Sequence, residues 1–248
     1  MTLPPLLKTL CLAALLAGAL PAAASAAKPL VFCAEASPEG FDPALWDSAT
    51  TYNITKPVFQ GLFEFQRGGV ALRPGLAESW TVSPDGLNYT FRLRRGVKFH
   101  QTAYFTPSRD FTADDAVFTI SRWIRPDLPF NQAFKTPLTG PDGYGLSKLI
   151  ESVQKVDART VRIRLKERNA TFLTFFAMGF AGMQSAEYAE QLLKAGKPQQ
   201  INQLPIGTGP YRFKSYAKDS IIRYEANPQY WGKPQKTRDL IFAIVADP

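Results

Sequence analysis

The side chains able to move protons, attack bonds or hold metals are few in this chain and do not stand together. There are one histidine and two cysteines in 248 residues. His100 follows the strand-like Val97-Lys98-Phe99, with no cysteine, second histidine or carboxylate cluster at metal-ligand spacing, so a surface position at a strand end is expected. Asp114 and Asp115 make a carboxylate pair, but they follow Thr112 at a helix start, where capping accounts for both. Gly207-Thr208-Gly209-Pro210 has the outline of a phosphate cradle, yet no Lys-Ser/Thr follows and Pro210 lacks an N–H, so a structural turn is expected. No G-x-S-x-G, H-E-x-x-H, C-x-x-C or Walker loop occurs. The residues point to binding without catalysis, and no cofactor or metal is expected.

The opening residues point to export. Lys8 supplies a positive start, Thr9 to Leu20 is a short apolar run, and Ser25 and Ala27 stand at the −3 and −1 positions of a small-residue cleavage site. Residues 1–27 are therefore expected to be a signal peptide cut between Ala27 and Lys28, giving an exported, soluble chain. The apolar run is shorter than the roughly 20 residues that cross a bilayer. Cys11 sits too early in it for a lipid anchor. Cys33 is then the one remaining cysteine: either a small buried hydrophobe, or a thiol whose partner lies on sequence absent here. The net charge is +8, but Arg92, Arg94, Arg95 and Lys98 form the one dense basic cluster, and alternation places it on the wet face of a strand. A nucleic-acid partner is not expected.

The remaining length suits one large domain or two small ones, and 45% hydrophobic residues suffice for a core. Leu30 to Cys33 reads as a short buried strand, and Val58 to Phe65 as core. Trp80-Thr81-Val82, a Ser83-Pro84-Asp85-Gly86 turn, and the alternation of Leu87, Tyr89, Phe91 and Leu93 spell a hairpin with one apolar face. Thr112 and Asp115 have capping-box spacing ahead of an inward stripe of Ala116, Val117, Ile120 and Trp123, and Pro126 ends that helix. Val153 to Val156 and Thr160 to Leu165 make a second antiparallel pair. Helices are expected over Phe172 to Met178 and over Ser185 to Ala195, the latter closed by Gly196. Gln199 to Leu204 reads as a polar crossing between lobes, and Leu240 to Val245 as a buried strand ending close to the last residue. The fold class is α+β with mixed sheets in two lobes.

Several motifs in order carry a resemblance. Lys28-Pro-Leu-Val-Phe-Cys-Ala-Glu-Ala-Ser-Pro-Glu-Gly-Phe-Asp-Pro, Gly75-Leu-Ala-Glu-Ser-Trp and Tyr89-Thr-Phe-Arg-Leu-Arg-Arg-Gly-Val-Lys-Phe-His resemble the N-terminal half of the family 5 extracellular solute-binding proteins. Thr112-Ala-Asp-Asp-Ala-Val-Phe, Pro205-Ile-Gly-Thr-Gly-Pro-Tyr and Asn227-Pro-Gln-Tyr-Trp-Gly continue it. Within that family the likeness runs to the dipeptide-binding receptors of bacterial ABC importers. The resemblance implies a type II, cluster C periplasmic-binding-protein lobe over 28–61 and 204–248, an inserted smaller domain over 62–203, and a second main lobe that is missing. It implies a monomeric receptor that holds a di- or oligopeptide and delivers it to an inner-membrane ABC permease. Asp47, Ser48, Ala49 and Thr50 match the segment whose backbone pairs with the bound peptide, which would be strand addition. Cys33 matches a cysteine that takes a disulfide partner beyond residue 248. Phe130 reads as an aromatic wall or as core. The same scaffold carries haem, glutathione, nickel complexes or opines in related receptors, and a truncated product without binding activity is the further alternative.

Overall fold

The computed structural model describes residues 28–46 and 48–245, so the expected signal peptide, Ala27 and Asp47 lie outside the described residues. In chain order the elements are β1 (Leu30–Ala34), α1 (Ala49–Thr55), β2 (Phe63–Phe65), β3 (Leu72–Pro74), β4 (Ala77–Val82) and β5 (Asn88–Leu93). Then come α2 (Ala113–Ile124), α3 (Pro129–Phe134), α4 (Thr139–Gly143), α5 (Leu146–Leu149), β6 (Ile150–Asp157) and β7 (Thr160–Leu165). The remainder is α6 (Phe172–Phe175), α7 (Ala186–Lys194), β8 (Tyr211–Ala217), β9 (Ile221–Ala226) and β10 (Asp239–Ile244), with 3₁₀ turns at Gly179–Ala181 and Pro198–Asn202.

Two four-stranded sheets organise these elements. One has the order β4-β5-β7-β6 and is antiparallel throughout. Tyr89, Phe91 and Leu93 of β5 and Val161, Ile163 and Leu165 of β7 point to one face and are buried there, as the period-two alternation requires. The larger hydrophobic core gathers on that face and includes Ile120 and Trp123 of α2. The other sheet has the order β1-β10-β9-β8, with β1 parallel to β10 and the other pairs antiparallel. Its core is smaller: Ala34, Phe41, Ile54, Val58 and Phe59 from the start of the chain meet Tyr211, Phe213, Ile222, Tyr224, Leu240 and Phe242 from its end. Tyr224 ties this sheet to α1 by donating its hydroxyl to the Ile54 carbonyl at 2.8 Å, and burial pushes its phenol well above the ordinary range.

Several expectations are corrected. β1 is a strand but not a buried one: Leu30, Val31 and Phe32 are about half exposed, because β1 is an edge strand paired only with β10. Cys33 on it is an exposed free thiol, which removes the buried-hydrophobe reading. The helix expected over 172–178 is a single turn, α6, and the chain then bends through Gly179 and Gly182. β10 is buried on one face only, at Leu240 and Phe242. By contrast α2 has the full capping box: Thr112 accepts from the Asp114 N–H at 3.4 Å, and Asp115 accepts from the Thr112 N–H at 2.9 Å. Phe130 is core, stacked on Phe134 at 5.9 Å.

A further correction concerns His100, which is fully buried. Its Nδ1 accepts from the Gly207 N–H at 3.4 Å and its Nε2 lies 3.0 Å from the Gly209 carbonyl, so the neutral Nε2–H form fits both partners. The imidazole therefore closes the Gly207-Thr208-Gly209-Pro210 turn from one side. From the other side, Gly209 donates to the Val58 carbonyl at 2.8 Å. A side chain at Gly207 would sit 2.1 Å from that same oxygen, so the glycine is what allows the approach.

Burial lowers the His100 pKa from 6.5 to about 4, with the Gly209 hydrogen bond opposing it. Between those values the unfolded chain binds more protons than the folded one. The stability that neutral His100 contributes is thus whole above pH 6.5 and is lost as pH falls towards 4, on the order of 3 kcal/mol. His100→Gln should lower the melting temperature at pH 7.5 and flatten its fall between pH 6.5 and 4. An unchanged slope in thermal melts across that range would assign it to carboxylates instead.

Candidate binding surface

The segment that carries the candidate residues is held from several directions before it reaches them. Phe41 donates its N–H to the Asn202 carbonyl at 3.0 Å, and Asp42 donates to the Asn202 side chain at 2.9 Å. Gly40 passes so close to Asn202 that a Cβ there would overlap its amide. Further on, Ala44 accepts from the Gly140 N–H at 3.2 Å and Leu45 accepts from the Thr139 hydroxyl. The polar stretch expected over 199–204 is thus largely the 3₁₀ turn Pro198–Asn202, and Asn202 serves as a brace for the 40–42 backbone.

The strongest hold is electrostatic. The Asp42 carboxylate is wholly buried and accepts from Arg122 at 2.8 Å, from the Gln184 amide at 3.0 Å and from the Ala44 N–H at 3.1 Å. Arg122 in turn donates to the Gln184 side-chain oxygen and lies 5.1 and 5.3 Å from the ring centroids of Phe130 and Phe134. A desolvated pair of this kind is favourable only when its hydrogen bonds are met. Here Arg122 Nε is the guanidinium nitrogen without a partner among the described residues. Neither Asp42 nor Arg122 stands out in the sequence, because each follows an ordinary pattern of its own segment.

Ser48 then caps α1: its hydroxyl accepts from the Thr51 N–H at 3.3 Å and donates to Glu39 at 2.9 Å. Burial acts to raise the Glu39 pKa, but the Thr51 hydroxyl, its own N–H and the Ser48 hydroxyl outweigh it and hold the carboxyl below its usual range. Ala49 and Thr50 form the first turn of α1, Ala49 exposed and Thr50 half-buried with its hydroxyl on Glu35 at 3.1 Å. This changes the geometry expected of the segment. A helical first turn does not ladder with an extended chain, and its Ala49 and Thr50 N–H groups have no hydrogen-bond partner among the described residues. Lys28 is exposed, two residues ahead of β1.

Beside Ala49 lies a cavity of about 320 Å³ that residue-by-residue reading missed. Trp46 and Tyr52 come from the α1 side, and Phe65, Tyr144, Met178 and Phe180 from the segments around the larger core. No single stretch signals it, since its walls come from four separated parts of the chain. A second cavity of about 220 Å³ lies against Cys33, Glu35, Thr50 and Asn53. Among the described residues no three His, Cys, Asp or Glu side chains converge as metal ligands would.

A braced loop, main-chain N–H groups without a partner among the described residues and an aromatic hollow lie side by side at the start of α1. The profile described as bacterial extracellular solute-binding proteins, family 5 Middle, matches residues 71–248, and this chain belongs to that family. It is 50% identical to di/tripeptide-binding protein 1 of Pseudomonas aeruginosa over 89% of this chain and 42% of that protein. It is 43% identical to heme-binding protein A of Haemophilus influenzae over 91% of this chain and 42% of that one. The crystal structure of a Pseudoalteromonas dipeptide-binding protein in complex with Met-Leu superposes with a TM-score of 0.83 at 34% identity, covering 89% of this chain and 44% of the other. The chain spans less than half the length of these relatives.

Two outcomes check this account. Arg122→Met leaves the Asp42 carboxylate buried without its cation and should destabilise the fold by about 3–5 kcal/mol, while Asp42→Asn/Arg122→Met should recover part of the loss. Denaturant melts of these two variants and of Asp42→Asn measure the coupling. Separately, in the chain lacking residues 1–27, Cys33 should react with a thiol reagent in the native state within about ten-fold of its unfolded rate. Full protection would contradict its placement on an open edge.

Proposed function

We propose that this chain supplies part of the substrate-binding component of a bacterial ABC importer, exported to the periplasm, receiving di- or tripeptides and presenting them to an inner-membrane permease. The observation that carries the reading is the exposed first turn of α1, with the donors of Ala49 and Thr50, fixed beside an aromatic cavity by the buried Asp42–Arg122–Gln184 network. Such a surface grips a peptide through its backbone and asks little of the side chains, in keeping with a chain 50% identical to a di/tripeptide-binding protein. Ser48, Ala49 and Thr50 are the residues we assign to ligand contact, with Asp47 next to them in sequence. The chemistry offered is hydrogen bonding and apolar contact, which is that of a carrier and not of an enzyme.

We assign 28–61 and 204–248 to one lobe and 62–203 to an inserted domain. The division is supported by the smaller core, whose residues come only from the two outer segments. Ala44, Leu45 and Ile206 cross it, joining the larger core from the outer segments. The 43% identity to a heme-binding protein favours a second reading, in which the same surface takes another solute.

The test uses a chimera in which residues 28–248 replace the matching part of the Pseudomonas relative. Millimolar Ala-Ala should raise its melting temperature by several degrees, since a ligand at 100 times its Kd stabilises by about 2.7 kcal/mol. The 248-residue chain alone should shift by less than about one degree, because it spans less than half the length of the peptide-binding relatives it matches. A chimera that folds yet ignores dipeptides while shifting with haem would replace the first reading with the second.

A further inference from the structure

We infer that the corner formed by Arg94 and Trp231 is a docking surface for an acidic segment of a partner protein, with a carboxylate received between the two Nη atoms of Arg94. This goes beyond solute binding and involves neither α1 nor the two cavities. Arg94 follows the last residue of β5, and its N–H is fixed on the Leu76 carbonyl at 2.9 Å. Its Nε donates to the Gly75 carbonyl at 3.2 Å, and the guanidinium carbon lies 4.2 Å from the Trp231 ring centroid. The indole is held as well, since Trp231 Nε1 donates at 2.8 Å to the buried Gln60 side chain, which also accepts from the Thr208 hydroxyl at 3.2 Å. One edge and one face of the guanidinium are therefore occupied in holding its position. Among the described residues its two Nη atoms have no hydrogen-bond or ion-pair partner, and Arg94 is only half-buried.

The surroundings add charge of the same sign. Arg95 and Lys98 come directly after Arg94, and Lys233 and Lys236 come directly after Trp231; all four are exposed. Among the described residues none of the four enters an ion pair. By contrast Arg92, Arg159 and Arg164, around the same sheet as Arg94, each reach a carboxylate. Burial and Glu64 raise the Tyr230 phenol, while its hydrogen bond with Gln60 and the charges of Arg73 and Arg94 oppose them, so one carboxylate does lie near the corner. Glu64 is already engaged, by Arg73 and by the Gln60 amide at 3.2 Å. A membrane-binding patch works through mobile cations and through aromatic rings that enter the lipid interface. Here the central cation is immobilised and covers the ring beside it, which suits neither. A guanidinium fixed before binding instead presents a fork to one carboxylate in one orientation, and little has to be ordered when the partner arrives.

The experiment is fluorescence anisotropy of fluorescein-labelled hexaglutamate titrated with the 248-residue protein. Binding should saturate at about 50 mM salt and weaken about ten-fold at about 200 mM, as exposed charges are screened. Arg94→Lys keeps the charge but loses the fork and should weaken binding about five-fold. Arg95→Gln/Lys233→Gln, at exposed positions, should weaken it about ten-fold and serves if Arg94→Lys does not fold. Arg162→Gln/Arg223→Gln removes the same charge from exposed strand positions elsewhere and should stay within about two-fold of the parent. Absence of saturable binding, undiminished binding by a folded Arg94→Lys, or equal loss in the two double variants would overturn the corner as a docking surface. Vesicles containing phosphatidylglycerol are the second probe. Vesicle binding that Arg95→Gln/Lys233→Gln abolishes, with no hexaglutamate binding, would assign the corner to a membrane and overturn the protein partner. No dipeptide enters the experiment, so its failure leaves the peptide-receiving reading standing.

Discussion

The Asp42 carboxylate is the point on which the two parts of this molecule agree. Placing a carboxylate at zero exposure is costly unless each lone pair finds a donor, and here a guanidinium, an amide and a backbone N–H converge on it. Two of the donors, Arg122 and Gln184, come from segments far away in sequence, so the arrangement specifies one packing of the 40–46 loop against α2. A purely apolar contact would hold the same surfaces with less definition of register. The unpartnered Arg122 Nε shows that the network is imperfect, and the aromatic rings around the guanidinium offset part of that loss.

The same logic runs along one face of α2. Asp115, Thr119 and Arg122 are spaced as neighbours on a helix surface, and each engages the 184–186 stretch. Asp115 accepts from the Ala186 N–H at 2.9 Å, Thr119 accepts from the Gln184 N–H at 2.9 Å, and Arg122 reaches the Gln184 side chain. Asp115 also closes its own capping box and takes Arg109 at 2.6 and 2.9 Å. One polar stripe thus fixes the start of α7, the end of α2 and, through Asp42, the approach to α1. The bracing of the candidate surface is therefore a property of a helix some 65 residues further along the chain.

What could be read from the residues was whatever has a short period. The β5 and β7 alternations, the Thr112–Asp115 cap and the Ser185 cap are local, and the structure keeps all of them. What escaped reading depends on partners distant in sequence. His100 looks like an exposed strand end until Gly207 and Gly209 are brought to both of its nitrogens. Leu30 to Cys33 has the composition of a buried strand, and only the sheet order reveals an open edge. The Asp47–Thr50 stretch was legible as a loop, but among its described residues Ser48 is a helix cap and Ala49 and Thr50 begin α1. The cavity could not be read at all, since Trp46, Phe65, Tyr144 and Phe180 share no spacing.

The position of that cavity follows from the way the two cores meet. Where Gly140 and Gly179 allow backbone and ring to approach, the surfaces close without a gap: a Cβ at 140 would lie 2.7 Å from Phe180. Just beyond, the bulk of Trp46, Tyr144 and Phe180 keeps them apart, and a hollow remains at the mouth of the seam.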